Sequence, residues 1–152
     1  MATKYDLLST LRNVQSGVIS PEEALLQMKL APFEDLGYAK VDYHRAVRQG
    51  ASEVIYGQSK TPEHIAGILE AMQRRDSTNI LVTRIEQETA DWLAERFPLR
   101  YEPLAKLAVV LPRPTEQRGA IVVITGGTSD IGVAEEAAIT AETLGNRVTR
   151  LY

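Results

Sequence analysis

The sequence predicts an α/β fold, because apolar runs of strand length alternate with amphipathic helical stretches. Three observations carry this. "NILVTR" (79–84) and "KLAVVLP" (106–112) are near-continuous apolar runs, the pattern of strands covered on both faces. Thr61, Pro62 and Glu63 open a helical pattern whose apolar side is Ile65, Ile68, Leu69 and Met72. A β-branched run, "AIVVIT" (120–125), passes through two glycines into another helical pattern. Such alternation predicts a mainly parallel sheet with helices between its strands.

Taken in order, residues 5–16 place Leu8, Leu11 and Val14 at helical spacing and stop at Gly17. In "SPEE", Ser20 is an N-cap, Pro21 the first helical residue and Glu23 the partner of a capping box. That helix runs to about Leu30. The two helices cannot bury their apolar faces alone and are expected to pack on something. "YAKVDYHR" (38–45) predicts a strand followed by a helical turn ending at Gly50, and "EVIYG" (53–57) a clearer strand. A helix over about 86–97 turns Ala90, Leu93 and Phe97 inward. "LPRPTEQRG" (111–119) has two prolines, charges, a glycine and no periodicity, so it predicts a linker. The last helix, about 130–145, offers Val133, Ala134, Ala137, Ala138 and Ala141 as a packed face and Gly145 as its C-cap. "RVTRLY" (147–152) is a strand in which the chain ends.

These boundaries predict an N-terminal helical segment (1–30), a small α/β domain (31–112), a linker (113–119) and a strand–helix–strand unit (120–152). A lone unit of that size lies below the ~40 residues at which domains usually fold unaided. It is therefore expected to begin a second domain that continues past Tyr152, rather than to join the first sheet.

Composition narrows the function classes. Charged residues make up 24% of the chain and the net charge is −3, so no basic excess points to nucleic acid. The absence of cysteine excludes disulfides, thiolate metal sites and a cysteine nucleophile within these residues. His44 and His64 are not at metal-ligand spacing and are expected to be ordinary surface or half-buried residues. No apolar run reaches membrane-spanning length and no signal-peptide pattern opens the chain, which predicts a cytoplasmic protein that binds no membrane.

The site-like stretch is "VVITGGTSDIGVAEEAA" (122–138). A strand leading through Gly126 and Gly127 to a helix near Asp130 presents backbone N–H groups at a helix N-terminus, where anions bind. Strand carboxyl ends are also where ligands bind in open α/β sheets. Thr128 and Ser129 add hydroxyls, and Asp130 can cap the helix. The stretch nearly matches the glycine fingerprint of short-chain dehydrogenases, but Asp130 stands at the middle glycine and brings bulk and negative charge beside a pyrophosphate. No lysine follows Gly132, so the Tyr-x-x-x-Lys pair those enzymes need is absent from these residues.

Other polar candidates are weaker. Lys60 precedes a helix N-terminus, where a cation opposes the dipole unless an anion joins it. Asp42, Arg45 and Arg48 form a D-x-x-R-x-x-R run: either a surface ion pair of Asp42 with Arg45, or arginines forking onto a phosphate or carboxylate. Thr83 and Arg84 end a buried strand. Glu135 and Glu136 are expected on a solvated helix face.

"GGTSD" (126–130) resembles the GSxSD loop of the class I aminoimidazole ribonucleotide carboxylases and mutases, with Gly127 in place of the first serine. "PFEDLGYAKVDYHRAVRQGASEVIYGQSKTPEHI" (32–65), followed by "ITGGTSDIGVAEEAAITAETLGNRV", is similar to the carboxylase/hydrolase family that starts nickel-pincer nucleotide cofactor synthesis for lactate racemase. This resemblance covers nearly the whole chain, and the block from Asp35 to Thr61 is its most specific part. It implies a Rossmann-like (flavodoxin-like) carboxylase domain beginning near residue 120. It implies carboxylation of the pyridinium ring of nicotinic acid adenine dinucleotide and hydrolysis of its phosphoanhydride, releasing AMP. Bicarbonate or carbon dioxide is the implied co-substrate, with magnesium able to neutralise the phosphoanhydride. Thr128, Ser129 and Asp130, with Gly126 and Gly127, are the implied nucleotide contacts; Lys60, Arg45, Arg48 and Asp42 would serve phosphates or the carboxylate. The family's catalytic cysteine would lie beyond Tyr152, so the resemblance implies an inactive fragment of a homo-oligomer. The alternatives are a purine-pathway aminoimidazole ribonucleotide carboxylase or mutase, and a non-catalytic nucleotide-binding or assembly module.

Overall fold

The structure, a computed structural model, describes residues 7–30, 33–42 and 54–152. Helices α1 (Leu7–Gln15) and α2 (Pro21–Leu30) pack as a hairpin. The capping box forms as predicted: Glu23 N–H donates to Ser20 Oγ at 3.0 Å, and Ser20 N–H to Glu23 Oε2 at 2.8 Å. The apolar stripe is less inward than its spacing suggests. Leu8 and Leu11 stay about half exposed, whereas Thr10 and Ala24 are buried.

Strands β1 (Phe33–Asp35) and β2 (Lys40–Asp42) form an antiparallel hairpin. A four-stranded sheet follows, in the order β3 (Val54–Tyr56), β4 (Ile80–Thr83), β6 (Leu107–Val110), β5 (Leu99–Glu102). The α/β expectation holds, with a correction to the sheet. Within this sheet only β3 and β4 are parallel, joined by helix α3 (Pro62–Gln73); β6 runs antiparallel to both β4 and β5. The expected helix over 86–97 is shorter, α4 (Gln87–Ala94), and the residues after it turn into β5. The chain then reverses through 103–106, with Lys106 at φ 48°, instead of crossing over by a second helix.

Both faces of this sheet are covered, which explains the unbroken apolar runs. Ile80 and Val82 of β4 and Ala108 and Val110 of β6 face α3 and α4, meeting Ile65, Ile68, Leu69 and Met72 of α3, Ala90 and Leu93 of α4, and Phe97 beyond it. Leu81, Leu107 and Val109 face the other way and pack with Ala105 and Ile139.

Ile139 belongs to the last unit: β7 (Gly119–Ile124), a 3-10 turn (Thr128–Asp130), α5 (Ile131–Thr143) and β8 (Asn146–Leu151). Strands β7 and β8 pair in parallel with each other and not with the four-stranded sheet. Of the expected packed face of α5, Ala134 and Ala138 are buried with Ile139, whereas Val133 is 64% exposed. Val133 lies about 120° around the helix from Ile139, the residue that meets the sheet. Gly145, at φ 88°, closes the helix.

Between the units, residues 111–118 are tied by Asn79, itself at φ 54°. Its N–H donates to the Leu111 carbonyl at 3.0 Å, its Oδ1 accepts the Arg113 N–H at 2.7 Å, and its Nδ2 donates to Thr115 Oγ1 at 3.0 Å. No helix among the described residues is long and apolar enough to cross a membrane.

Candidate nucleotide loop

The ladder of β7 and β8 is extended by one bond, from Thr125 N–H to the Leu151 carbonyl at 3.1 Å, so the next residues leave from the carboxyl ends of both strands. Gly126 and Gly127 come first. A Cβ on Gly126 would meet nothing within 4 Å, and one on Gly127 only Ser129 Oγ at 3.8 Å. Gly127, at φ −156°, has extended backbone open to any residue. Neither packing nor left-handed geometry requires glycine here, so the open backbone is left for something that approaches from outside. Gly132 is the contrast. A Cβ there would lie 2.6 Å from the Leu104 carbonyl oxygen, because the first turn of α5 presses on the reversal between β5 and β6.

Thr128, Ser129 and Asp130 are exposed on the 3-10 turn, which is closed by Asp130 N–H donating to the Gly127 carbonyl at 3.1 Å. Asp130 occupies the N-cap position of α5, as expected, but its carboxylate accepts no capping hydrogen bond. Ser129 Oγ sits 3.5 Å from Asp130 Oδ1. The loop thus offers two hydroxyls and a carboxylate unused by the fold, at a helix start where partial positive charge favours anions. A phosphate suits the N–H groups, and a carboxylate suits hydroxyl donors such as a ribose.

Of the other predicted residues, Lys60 and Asp42 are described and stand on elements away from the loop. Lys60 lines a depression of about 300 Å³ between β2, β3 and α3, with Tyr38, Lys40 and Tyr56, and among the described residues its ammonium forms no ion pair. It follows a turn in which its N–H donates to the Gly57 carbonyl at 3.0 Å, and precedes Thr61, the cap of α3. Asp42 is in a strand opposite Phe33, so the helical adjacency expected of Asp42 and Arg45 is not met at its first member. Arg45, Arg48 and His44 lie outside the described residues. His64 stacks on Tyr38, with ring centroids 4.4 Å apart.

Thr83 is buried at the end of β4, where its carbonyl accepts the Gly57 N–H at 2.7 Å. Arg84 follows at φ 58° and reaches Glu136 of α5 at 3.7 Å. This corrects the expectation of a solvated glutamate face. Glu135 is 14% exposed, accepts from Arg150 Nε at 3.0 Å and from the Tyr152 hydroxyl at 2.8 Å, and belongs to a clamp. The same Arg150 forks onto Glu142 at 2.6 and 3.1 Å. That bond holds the Glu142 carboxyl below its ordinary range and raises the Arg150 guanidinium well above its own. The clamp was not apparent from spacing along the helix, because both partners come from β8 and the residue after it. Among the described residues, no group of three or more His, Asp or Glu side chains converges as a metal site.

These features define an α/β protein that presents an exposed polar loop at the carboxyl ends of parallel strands. Residues 33–112, more than half of the chain, match the LarB/PurE-like N-terminal domain, and the chain belongs to that family. An uncharacterized protein of Methanocaldococcus jannaschii is 32% identical over 157 aligned positions, which cover 97% of this chain and 59% of that protein. The chain therefore spans less than two thirds of the length of this relative. The loop at 126–130 lies outside the residues matched to the family domain.

Proposed function

We propose that the chain handles the nucleotide substrate of a carboxylase: an enzyme that carboxylates the pyridinium ring of nicotinic acid adenine dinucleotide and hydrolyses its phosphoanhydride, releasing AMP. The observation that carries this is the loop at 126–130, with two glycines that neither packing nor φ requires and an aspartate at an N-cap that does not cap. The family match and the similarity of the loop to GSxSD support the carboxylase class. In this reading the N–H groups at the start of α5 take a phosphate, Ser129 and Thr128 donate to phosphate oxygens, and Asp130 accepts from a ribose hydroxyl. Asp130 is the single carboxylate of the loop, so these residues do not build a site for magnesium and no step is assigned to one. The 152 residues include no cysteine, and the reading places the nucleophile outside them. The chain should accordingly bind without turning over.

Calorimetric titration of the chain with nicotinic acid adenine dinucleotide tests this, with aminoimidazole ribonucleotide as comparator. Saturable binding of the dinucleotide in preference to the purine intermediate is expected. Preference for aminoimidazole ribonucleotide would move the assignment to the purine carboxylases. Failure of both to bind, or AMP release by the chain given bicarbonate and magnesium, would overturn the proposal.

A further inference from the structure

A second polar cleft lies at the other end of the last unit. It encloses about 500 Å³ and is lined by Arg100 of β5, Arg113 of the connecting segment and Arg147 of β8, together with Asn79, Gln117 and Glu142. Among the described residues the three guanidiniums form no ion pair within 4.0 Å. Glu142 is the one carboxylate in the lining, and it is already forked by Arg150 at 2.6 and 3.1 Å. Glu142 also attracts Arg100, but three arginines against one shared carboxylate leave the cleft with a net positive charge on a chain whose net charge is −3.

Its walls are held in place without a ligand. Asn79 accepts the Arg113 N–H and donates to Thr115, which fixes the backbone that carries Arg113. Arg118 N–H donates to the Gly145 carbonyl at 2.7 Å, and a Cβ on Gly145 would lie 2.5 Å from the Glu116 carbonyl oxygen. This contact sets the connecting segment against the start of β8, where Arg147 stands. Like charges gathered on a fixed frame repel each other, and a multiply charged anion relieves that repulsion. Arginine forks match phosphate oxygens in pairs.

We infer that this cleft binds a compact, multiply charged phosphate through Arg100, Arg113 and Arg147. The site is separate from the loop at 126–130. Arg147 is the second residue of β8 and the loop follows the opposite end of β7, about 17 Å away at ~3.3 Å per strand residue. It does not depend on the proposed carboxylase substrate.

The test is a calorimetric titration of the chain with inorganic pyrophosphate, with sulfate at matched ionic strength as comparator. One saturable site is expected, weakened about tenfold or more by each of Arg113→Gln and Arg147→Gln, since each loses charge-assisted hydrogen bonds. Arg12→Gln, at the exposed end of α1, should leave the affinity unchanged. Arg147→Lys keeps the charge without the fork and should give an intermediate affinity, and circular dichroism melts establish that each variant is folded. Absent binding, binding no tighter than sulfate, or equal weakening by Arg12→Gln would overturn the inference.

Discussion

Replacing Asp130 by asparagine separates two roles that its position permits. As a helix cap, an aspartate is worth about 1 kcal/mol against alanine through a bond from its side chain to an N–H of the first turn. That bond is absent, because the Asp130 carboxylate accepts no cap hydrogen bond. What remains is the attraction of its charge for the helix start, about 0.3–1 kcal/mol for an exposed group. Asparagine caps as well as aspartate, so Asp130→Asn should cost at most about 1 kcal/mol, or about 2–4 °C in Tm for a chain of this size. Binding is expected to suffer more. A charged acceptor that takes a ribose hydroxyl contributes about 1.5–3 kcal/mol, so affinity for nicotinic acid adenine dinucleotide should fall about tenfold to a hundredfold. The assay is a thermal melt of the free variant beside a calorimetric titration. A variant that loses more than ~4 °C while binding within about twofold of the parent would show that Asp130 serves the helix, and would refute the ligand argument.

Three further outcomes follow from contacts elsewhere. Gly57→Ala should destabilise the chain by about 2–3 kcal/mol in urea unfolding, because the new Cβ would clash with Ile85 Cγ2 and lie 2.8 Å from the Thr83 carbonyl oxygen; a loss under ~0.5 kcal/mol would mean that β3 and β4 separate easily. Arg150 lowers the Glu142 carboxyl mainly through their hydrogen bonds. Its stabilising effect is therefore present above the unfolded carboxylate pKa of about 4.3 and lost as pH falls through the lower folded value. Melts from about pH 5 down to 3 should show the parent losing more Tm than Arg150→Met, and parallel curves would contradict the clamp. Asn79→Ala removes both side-chain ties to the connecting segment, at about 0.5–1.5 kcal/mol each. Hydrogen exchange should show the Arg113 amide losing protection while the Val82 amide keeps it.

How far the sequence foretold this molecule depends on the range of the interactions concerned. The runs that became β4 and β6 were legible because burial on both faces removes alternation. The side of α3 was legible because its four apolar residues follow one helical period. The capping box of Ser20 and Glu23 is local and formed as written. Strand β5 was missed because "LRYE" is short, half-buried and polar at Arg100 and Glu102, and it follows a helix end with only Pro98 between the patterns. Missing it made the sheet look parallel. The carboxylates of α5 were misjudged for a different reason. Spacing along a helix names its faces but not the strands that pass beside them, and Glu135 and Glu136 meet residues 15 and 52 positions away.

The placement of those carboxylates bears on the loop itself. Helix α5 touches the four-stranded sheet through Ile139, is tied to the end of β4 through Glu136 and Arg84, and is clamped to β8 through Glu135, Glu142 and Arg150. Its first turn is fitted against Leu104 so closely that Gly132 admits no Cβ. A helix held at four points cannot slide along its axis without breaking several contacts at once, so the position of its N-terminus is set by the fold. The residues immediately before it, 126–130, are the opposite case: exposed, unpacked at both glycines and, among the described residues, carrying side chains with no partner beyond the spacing of Ser129 and Asp130. A rigid helix that carries an unconstrained polar loop at its positive end suits the ligand site proposed for 126–130. The cost of ordering falls on the fold before binding, and only the loop is left to adapt.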